Sequence, residues 1–119
     1  MSAQLPLTAI ASYKEAIDAF SWDRLWQLFD GTPERFNLAT ECLDRHIARG
    51  TAIDVKFHDG HVESYRYDTL ATSTAQFAHW LTKRGIEPGE RVAVMLEPGR
   101  AFYTGMFGAI KRGAIAVPL

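Results

Sequence analysis

Residues 89–119, GERVAVMLEPGRAFYTGMFGAIKRGAIAVPL, leave few folds open. Residues 91–96 read as a buried strand, residues 100–112 as an apolar helix, and residues 114–119 as a second buried strand. That order makes a β-α-β unit, whose strands lie parallel in one sheet and are joined by a right-handed crossover. Such units come in series, with helices on both sheet faces and ligands at the carboxyl ends of the strands. At Leu119 the series has barely begun. The sequence is therefore expected to open a larger α/β enzyme and to lack the part that performs chemistry.

Upstream, the first twenty residues read as a helix with a thin stripe of Ile10, Tyr13, Ile17 and Phe20. Ser21 can cap a second short helix, WDRLWQLF, which Asp30, Gly31, Thr32 and Pro33 end. Asn37 can cap a helix to about Arg49. Its Leu38, Ala39, Cys42, Leu43, His46 and Ile47 share one face, and Gly50 is its stop. Two short strands, residues 52–57 and 62–67, flank Asp59-Gly60, a hairpin signal because a primed turn needs positive φ. Asp68 is the expected cap of a long helix to about Arg84. Its stripe is Leu70, Ala71, Thr74, Phe77, Ala78 and Leu81, and Gly85 ends it. The helix at residues 100–112 is apolar nearly all round, so more than one side should be covered. The fold class is thus α/β: a β-hairpin plus a β-α-β parallel sheet with flanking helices. Residues 1–35 form a helical extension and residues 36–119 the first part of the main domain.

At 119 residues the chain is one domain or part of one. A net charge of −1 gives no basic field for nucleic acid and no polybasic face for a membrane. No stretch is apolar for long enough to span a bilayer, and the N-terminus lacks the pattern of a signal peptide. Cys42 is the only cysteine, which rules out an internal disulfide and fits a cytoplasmic location.

Several constellations invite a chemical reading. His58 and His61 form an H-x-x-H pair, but zinc needs three or four ligands, so two solvated residues beside a turn is the favoured reading. Cys42 and His46 stand one helical turn apart and resemble a nucleophile pair. Their apolar neighbours make them core or core-edge residues instead. Gly105 and Gly108 imply close backbone approach, to the sheet, and Trp22, Trp26 and Trp80 read as packing anchors. The best functional candidate is the loop of Glu97, Pro98, Gly99 and Arg100. It sits at the carboxyl end of a parallel strand and opens a helix, where free N–H groups favour anions. It has neither a G-x-G-x-x-G nor a G-x-x-x-x-G-K-[ST] pattern, so it is either a ligand contact in a complete protein or an ordinary βα turn.

The order and wording of these elements resemble the N-terminal region of AMP-forming acyl-CoA synthetases, in the superfamily shared with peptide-synthetase adenylation domains and luciferase. GERVAVML, the helix ending in AIKRGAIAVPL, and the Tyr67–Leu70 helix opening carry the resemblance. The FN-x-A-x-E-C-x-DRH opening is closest to acetyl-, medium-chain acyl- and benzoate-type ligases. The resemblance covers residues 22–119. It implies a two-step ligase in which acid and ATP give an acyl-adenylate and pyrophosphate, and CoA then gives the thioester, with magnesium supporting the first step. The family's Pro-Lys phosphate loop is expected beyond Leu119, so no catalytic residue carries over and no cofactor is assigned to this chain. ATP, magnesium and CoA belong to the complete enzyme. The loop of Glu97 to Arg100 falls where the family has a loop on the CoA side of the sheet.

The expected function is therefore that of an inactive N-terminal fragment of an acyl-CoA synthetase. The alternative is a self-standing binding or assembly module. Self-association is expected in either case, through the apolar final strand and a surface including Tyr103, Phe107, Ile115 and Val117.

Overall fold

In the computed structural model, which describes residues 6–119, the chain divides after Phe36 into two compact units. In the first unit Ser12 accepts from the Glu15 N–H and starts α1 (Tyr13–Ala19). Ser21 accepts from the Arg24 N–H and starts α2 (Trp22–Trp26). The expected long first helix is thus a short one, preceded by a 3-10 turn at Leu7–Ala9, and its part in residues 1–5 lies outside the described residues. Its stripe is not buried: Tyr13, Ile17 and Phe20 are exposed. Trp26 packs edge-on against Phe29 and Phe36, whereas Trp22 is 69% exposed and is no anchor.

The second unit opens with α3 (Leu38–Cys42), capped as expected by Asn37. The helix does not run on to Arg49. Leu43, at φ −122° and ψ −60°, breaks it into a 3-10 turn at Asp44–His46. Two distant bonds favour the break. The Asn37 side chain donates to the Ile110 carbonyl at 2.9 Å, and Lys111 pairs with Asp44 at 2.6 Å. Phase is lost, so Ala39, Glu41 and Leu43 are buried while Leu38, Cys42 and Ile47 are exposed. Buried Glu41 is matched by Arg45 at 2.5 Å.

Strands β1 (Thr51–Lys56) and β2 (Val62–Arg66) pair antiparallel as expected, with a bulge near Ala52. The turn differs from the primed type. Gly60 alone has positive φ, at 90°, and its N–H donates to Phe57 while Phe57 donates to His61. This is a three-residue loop ending in a left-handed glycine. Helix α4 (Tyr67–Lys83) has Arg66, not Asp68, at its cap position. Asp68 is the second helical residue, in the first turn, where its carboxylate accepts from the Thr69 N–H at 2.6 Å and pairs with Arg66. The predicted stripe is the buried one: Leu70, Thr74, Ala78 and Leu81. Trp80 is exposed, stacked on Phe77 with the Arg84 guanidinium 4.9 Å over its ring.

Then follow β3 (Arg91–Val94), α5 (Arg100–Arg112) and β4 (Ile115–Pro118), with β3 and β4 parallel and Arg91 in register with Ile115. Gly113, at φ 84°, ends α5, where Lys111 and Arg112 complement the helix dipole. Helix α5 packs against α4, α3 and both strands, so its all-round apolar character is used on several sides. Tyr103 and Phe107, partly buried, pack against the cluster of Leu43, Val55, Tyr65 and Leu70. The strands are less buried than expected. In β3 only Val94 is buried, and in β4 no residue is. One sheet face lies on Leu81 and Ala109. The other presents Met95, Ile115 and Leu119, which are 78%, 49% and 72% exposed. No helix among the described residues is long and apolar enough to cross a membrane.

Candidate functional site

The loop of Glu97, Pro98, Gly99 and Arg100 lies at the carboxyl end of β3 and runs directly into α5. Gly99 occupies the cap position without a side chain to offer, and its carbonyl accepts the first helical bond, from the Tyr103 N–H at 3.1 Å. The opening N–H groups of α5 are therefore not capped by their own loop. A neighbouring element supplies one partner. Tyr65, on β2, is 9% exposed, and its oxygen faces the Arg100 N–H while its hydroxyl donates to the Glu63 carboxylate. An alanine Cβ at Gly99 would meet that same hydroxyl at 3.8 Å, so the loop rests on the hairpin.

The Tyr65 hydroxyl is held above its ordinary titration range. The bond to Glu63 is the largest cause and burial the next, with the Arg100 N–H acting the other way. The neutral phenol is thus favoured in the folded chain. A raised folded value contributes stability that is fully present below the unfolded tyrosine value near 10 and is lost as pH rises through the folded one. Tyr65→Phe is expected to remove this alkaline component. Urea titrations at pH 8 and pH 11 should show a smaller pH-dependent loss for Tyr65→Phe than for the wild type. An equal loss in both would place the alkaline sensitivity elsewhere.

Around the loop, two shallow depressions share Arg100. One, of about 360 Å³, is lined by Asp68, Thr69, Thr72, Ser73 and Gln76 of α4. The other, of about 430 Å³, is lined by Glu63, Tyr65 and Arg66 of the hairpin and again by Thr69. Arg100 is exposed at the first helical position, where a cation opposes the helix dipole. Its placement is thus not explained by helix stability. Hydroxyls, the Arg100 guanidinium and helix-start N–H groups offer donors to a hydroxyl-bearing ligand edge, while the Asp68 and Glu63 carboxylates in the same walls oppose an anion.

The other sequence candidates do not join this loop. The His61 ring is committed to Asp59 at 2.6 Å and stacks on Phe57 at 4.2 Å. The His61 N–H and ring hold the Asp59 carboxyl below its usual range. No cluster of three or more metal-ligating side chains occurs among the described residues. Cys42 is exposed, against expectation, because α3 ends there. Partial burial and then the Glu41 charge push its thiol up, which disfavours the nucleophilic thiolate. His46 turns edge-on to Tyr67 at 5.5 Å. Gly105 approaches the sheet, where its Cβ would lie 3.3 Å from Val94. Gly108 instead approaches α4. The contribution of Tyr65 was not visible in the sequence, since nothing local to VESYR announces contact with a loop 35 residues on.

The comparisons with known proteins bear on the family and the fold. The profile of the family described as AMP-binding enzyme matches residues 44–119. The acetyl-coenzyme A synthetase of Laribacter hongkongensis (strain HLHK9) is 31% identical over 113 residues, covering 84% of this chain and 17% of the relative. The medium-chain fatty-acid–CoA ligase of Escherichia coli (strain K12) is 37% identical over 76 residues, covering 63% of this chain and 13% of the relative. The chain thus spans less than a fifth of the length of these curated relatives. The crystal structure of the Brucella canis acyl-CoA synthetase shares the fold, with a TM-score of 0.79 at 24% identity over 90% of this chain and 20% of that one. With the parallel β3–α5–β4 unit in place and the profile covering more than half the residues, this chain belongs to the family of AMP-binding enzymes.

Proposed function

We propose that this chain forms the opening part of the N-terminal domain of an AMP-forming acid–CoA ligase, and that the 119 residues alone do not adenylate. The complete reaction is carboxylic acid, ATP and CoA to acyl-CoA, AMP and pyrophosphate, with magnesium supporting adenylation. The observation that carries the reading is the family match over residues 44–119, which contains the whole β3–α5–β4 unit. Both relatives described above act on carboxylic acids by their names, an acetyl and a medium-chain fatty acyl group. A fatty or other small acid is the substrate class we assign, and the cytoplasm, where ATP and CoA are available, the location.

In this reading Glu97, Pro98, Gly99 and Arg100 face the CoA side of the sheet, and Arg100 supplies charge that the helix itself does not need. Adenylation develops negative charge on the α-phosphate and on the departing pyrophosphate, and several preorganised cations and N–H donors must meet it. Arg100, with Glu97 in the same loop, is too little for that task. The purified chain is expected to give no acid-dependent exchange of pyrophosphate into ATP with acetate, octanoate or benzoate. Exchange above background from a preparation free of host ligases would overturn the proposal of inactivity.

A further inference from the structure

Along HVESY, His61, Glu63 and Tyr65 stand two residues apart, so the pleat sets their side chains on one face of the hairpin. On β1, Val55 lies opposite Glu63 and Ile53 opposite Tyr65. The polar atoms on this face form one line. His61 Nδ1 lies 2.6 Å from the Asp59 carboxylate, and His61 Nε2 lies 3.7 Å from Glu63 Oε1. The second Glu63 oxygen, Oε2, accepts from the Tyr65 hydroxyl, whose oxygen meets the Arg100 N–H. His61 does not touch the loop of Glu97 to Arg100, yet two side chains connect it to that loop.

The two ends of this line are fixed and its middle is not. The His61 ring stacks on Phe57, with centroids 4.2 Å apart and planes 8° apart, and Asp59 Oδ1 also accepts from the His61 backbone N–H at 3.1 Å. Tyr65 is buried beside Tyr103 of α5, with ring centroids 6.5 Å apart. The Glu63 side chain is half exposed and can turn into water. Charge decides where it points. An imidazolium carries N–H on both nitrogens and donates toward both carboxylates. A neutral ring carries one N–H, which the shorter contact assigns to Asp59, and Nε2 then turns a lone pair toward Glu63. Two acceptors then face each other, and the carboxylate is no longer held. The cations beside Glu63 are Arg66, already paired with Asp68, and the Arg100 guanidinium in the wall of the same depression. His58 is the other titratable group of the turn.

We propose that His61 is a pH-sensitive latch on the start of α5. Protonated, it holds Glu63 and, through it, keeps Tyr65 against the Arg100 N–H. Neutral, it releases Glu63 and loosens that contact. The contact is complete below the histidine titration range and loosens as pH rises through it.

The inference is independent of ligase activity and is tested by nitrogen-15 NMR of the chain between about pH 5.5 and about pH 8.5, where carboxylates stay ionised and tyrosines neutral. The Arg100 amide resonance is expected to move with the same midpoint as the His61 ring protons. Its hydrogen-exchange protection should fall about twofold from the acid to the alkaline limit, the change that one exposed ion pair supplies. His61→Gln should abolish both responses, and His58→Gln should leave them. Tyr65→Phe should abolish the Arg100 response while the His61 ring goes on titrating. His61 is exposed enough that its replacement leaves the fold intact, so that variant decides the question even if Tyr65→Phe does not fold. An Arg100 amide that stays still, moves with a different midpoint, or still responds in His61→Gln would overturn the proposal.

Discussion

Leu70→Ala is expected to destabilise the second unit by about 2–5 kcal/mol. Leu70 has 0% exposure and lies where α4, the hairpin and the Asp44–His46 turn converge, in one cluster with Leu43, Val55 and Tyr65. Tyr103 and Phe107 of α5 close that cluster from the side. Truncation leaves a cavity whose walls belong to several elements, so collapse to fill it requires coordinated movement. Domains of this size are stable by about 5–15 kcal/mol, so the loss is a large fraction of the total. A urea midpoint lowered by a third or more is the expected reading. Ile47→Ala is the control, because Ile47 is 54% exposed, and it should change stability by less than about 0.5 kcal/mol. The helix stripe read from sequence would make the two comparable. Equal losses would mean that the break at Leu43 is wrong.

That contrast separates what the sequence made legible from what it did not. Helix α4 was legible because Leu70, Thr74, Phe77, Ala78 and Leu81 recur at helical spacing and because Gly85, at φ 80°, ends the run. The β3–α5–β4 unit was legible because apolar strands bracket an apolar helix, and short parallel strands need such a crossover. Helix α3 was misread past Cys42 because its periodicity continues through Ile47 while its geometry does not. The bonds favouring the break join Asp44 to Lys111 and Asn37 to Ile110, 67 and 73 residues away, and no local pattern records them. Glu41 lies off the apolar stripe in the sequence, yet tertiary packing buries it against Arg45. The loop of Glu97 to Arg100 was placed correctly at the end of β3, but its support was not. Tyr65 reaches it from a hairpin whose docking onto α5 depends on the whole cluster around Leu70.

The burial of the strands was overestimated for a related reason. Their composition reads as two covered faces, and the described residues cover one. Val92 and Ala116 lie on Leu81 and Ala109, whereas Met95, Ile115 and Leu119 face outward. Composition reports what a strand is suited to, and the packing partners decide what it receives.

Gly108→Ala is expected to destabilise and Gly105→Ala is not, although both glycines sit in the same helix and were read alike from sequence. An alanine in a helix interior is favoured over glycine by about 1 kcal/mol, and that gain applies to both. The difference lies in what the new methyl meets. At Gly105 it lies 3.3 Å and 3.5 Å from the two Val94 methyls, a tight contact that a small side-chain shift relieves. At Gly108 it lies 2.7 Å from Phe77 Cδ1, 3.1 Å from Phe77 Cβ and 3.1 Å from the Thr74 carbonyl oxygen. The ring can swing only by unstacking from Trp80, and the carbonyl belongs to the backbone of α4. Relief therefore requires the two helices to separate, and overpacking of that kind costs about 1–3 kcal/mol. Set against the helix gain, Gly108→Ala should lose up to about 2 kcal/mol and Gly105→Ala should stay within about 1 kcal/mol of wild type. Gly108→Leu cannot be accommodated by the ring alone and should abolish the cooperative transition. Thermal unfolding followed by circular dichroism measures all three. A Gly108→Ala variant more stable than wild type would show that α4 and α5 do not approach each other at Thr74 and Gly108, and the placement of the loop at the start of α5 would have to be rebuilt.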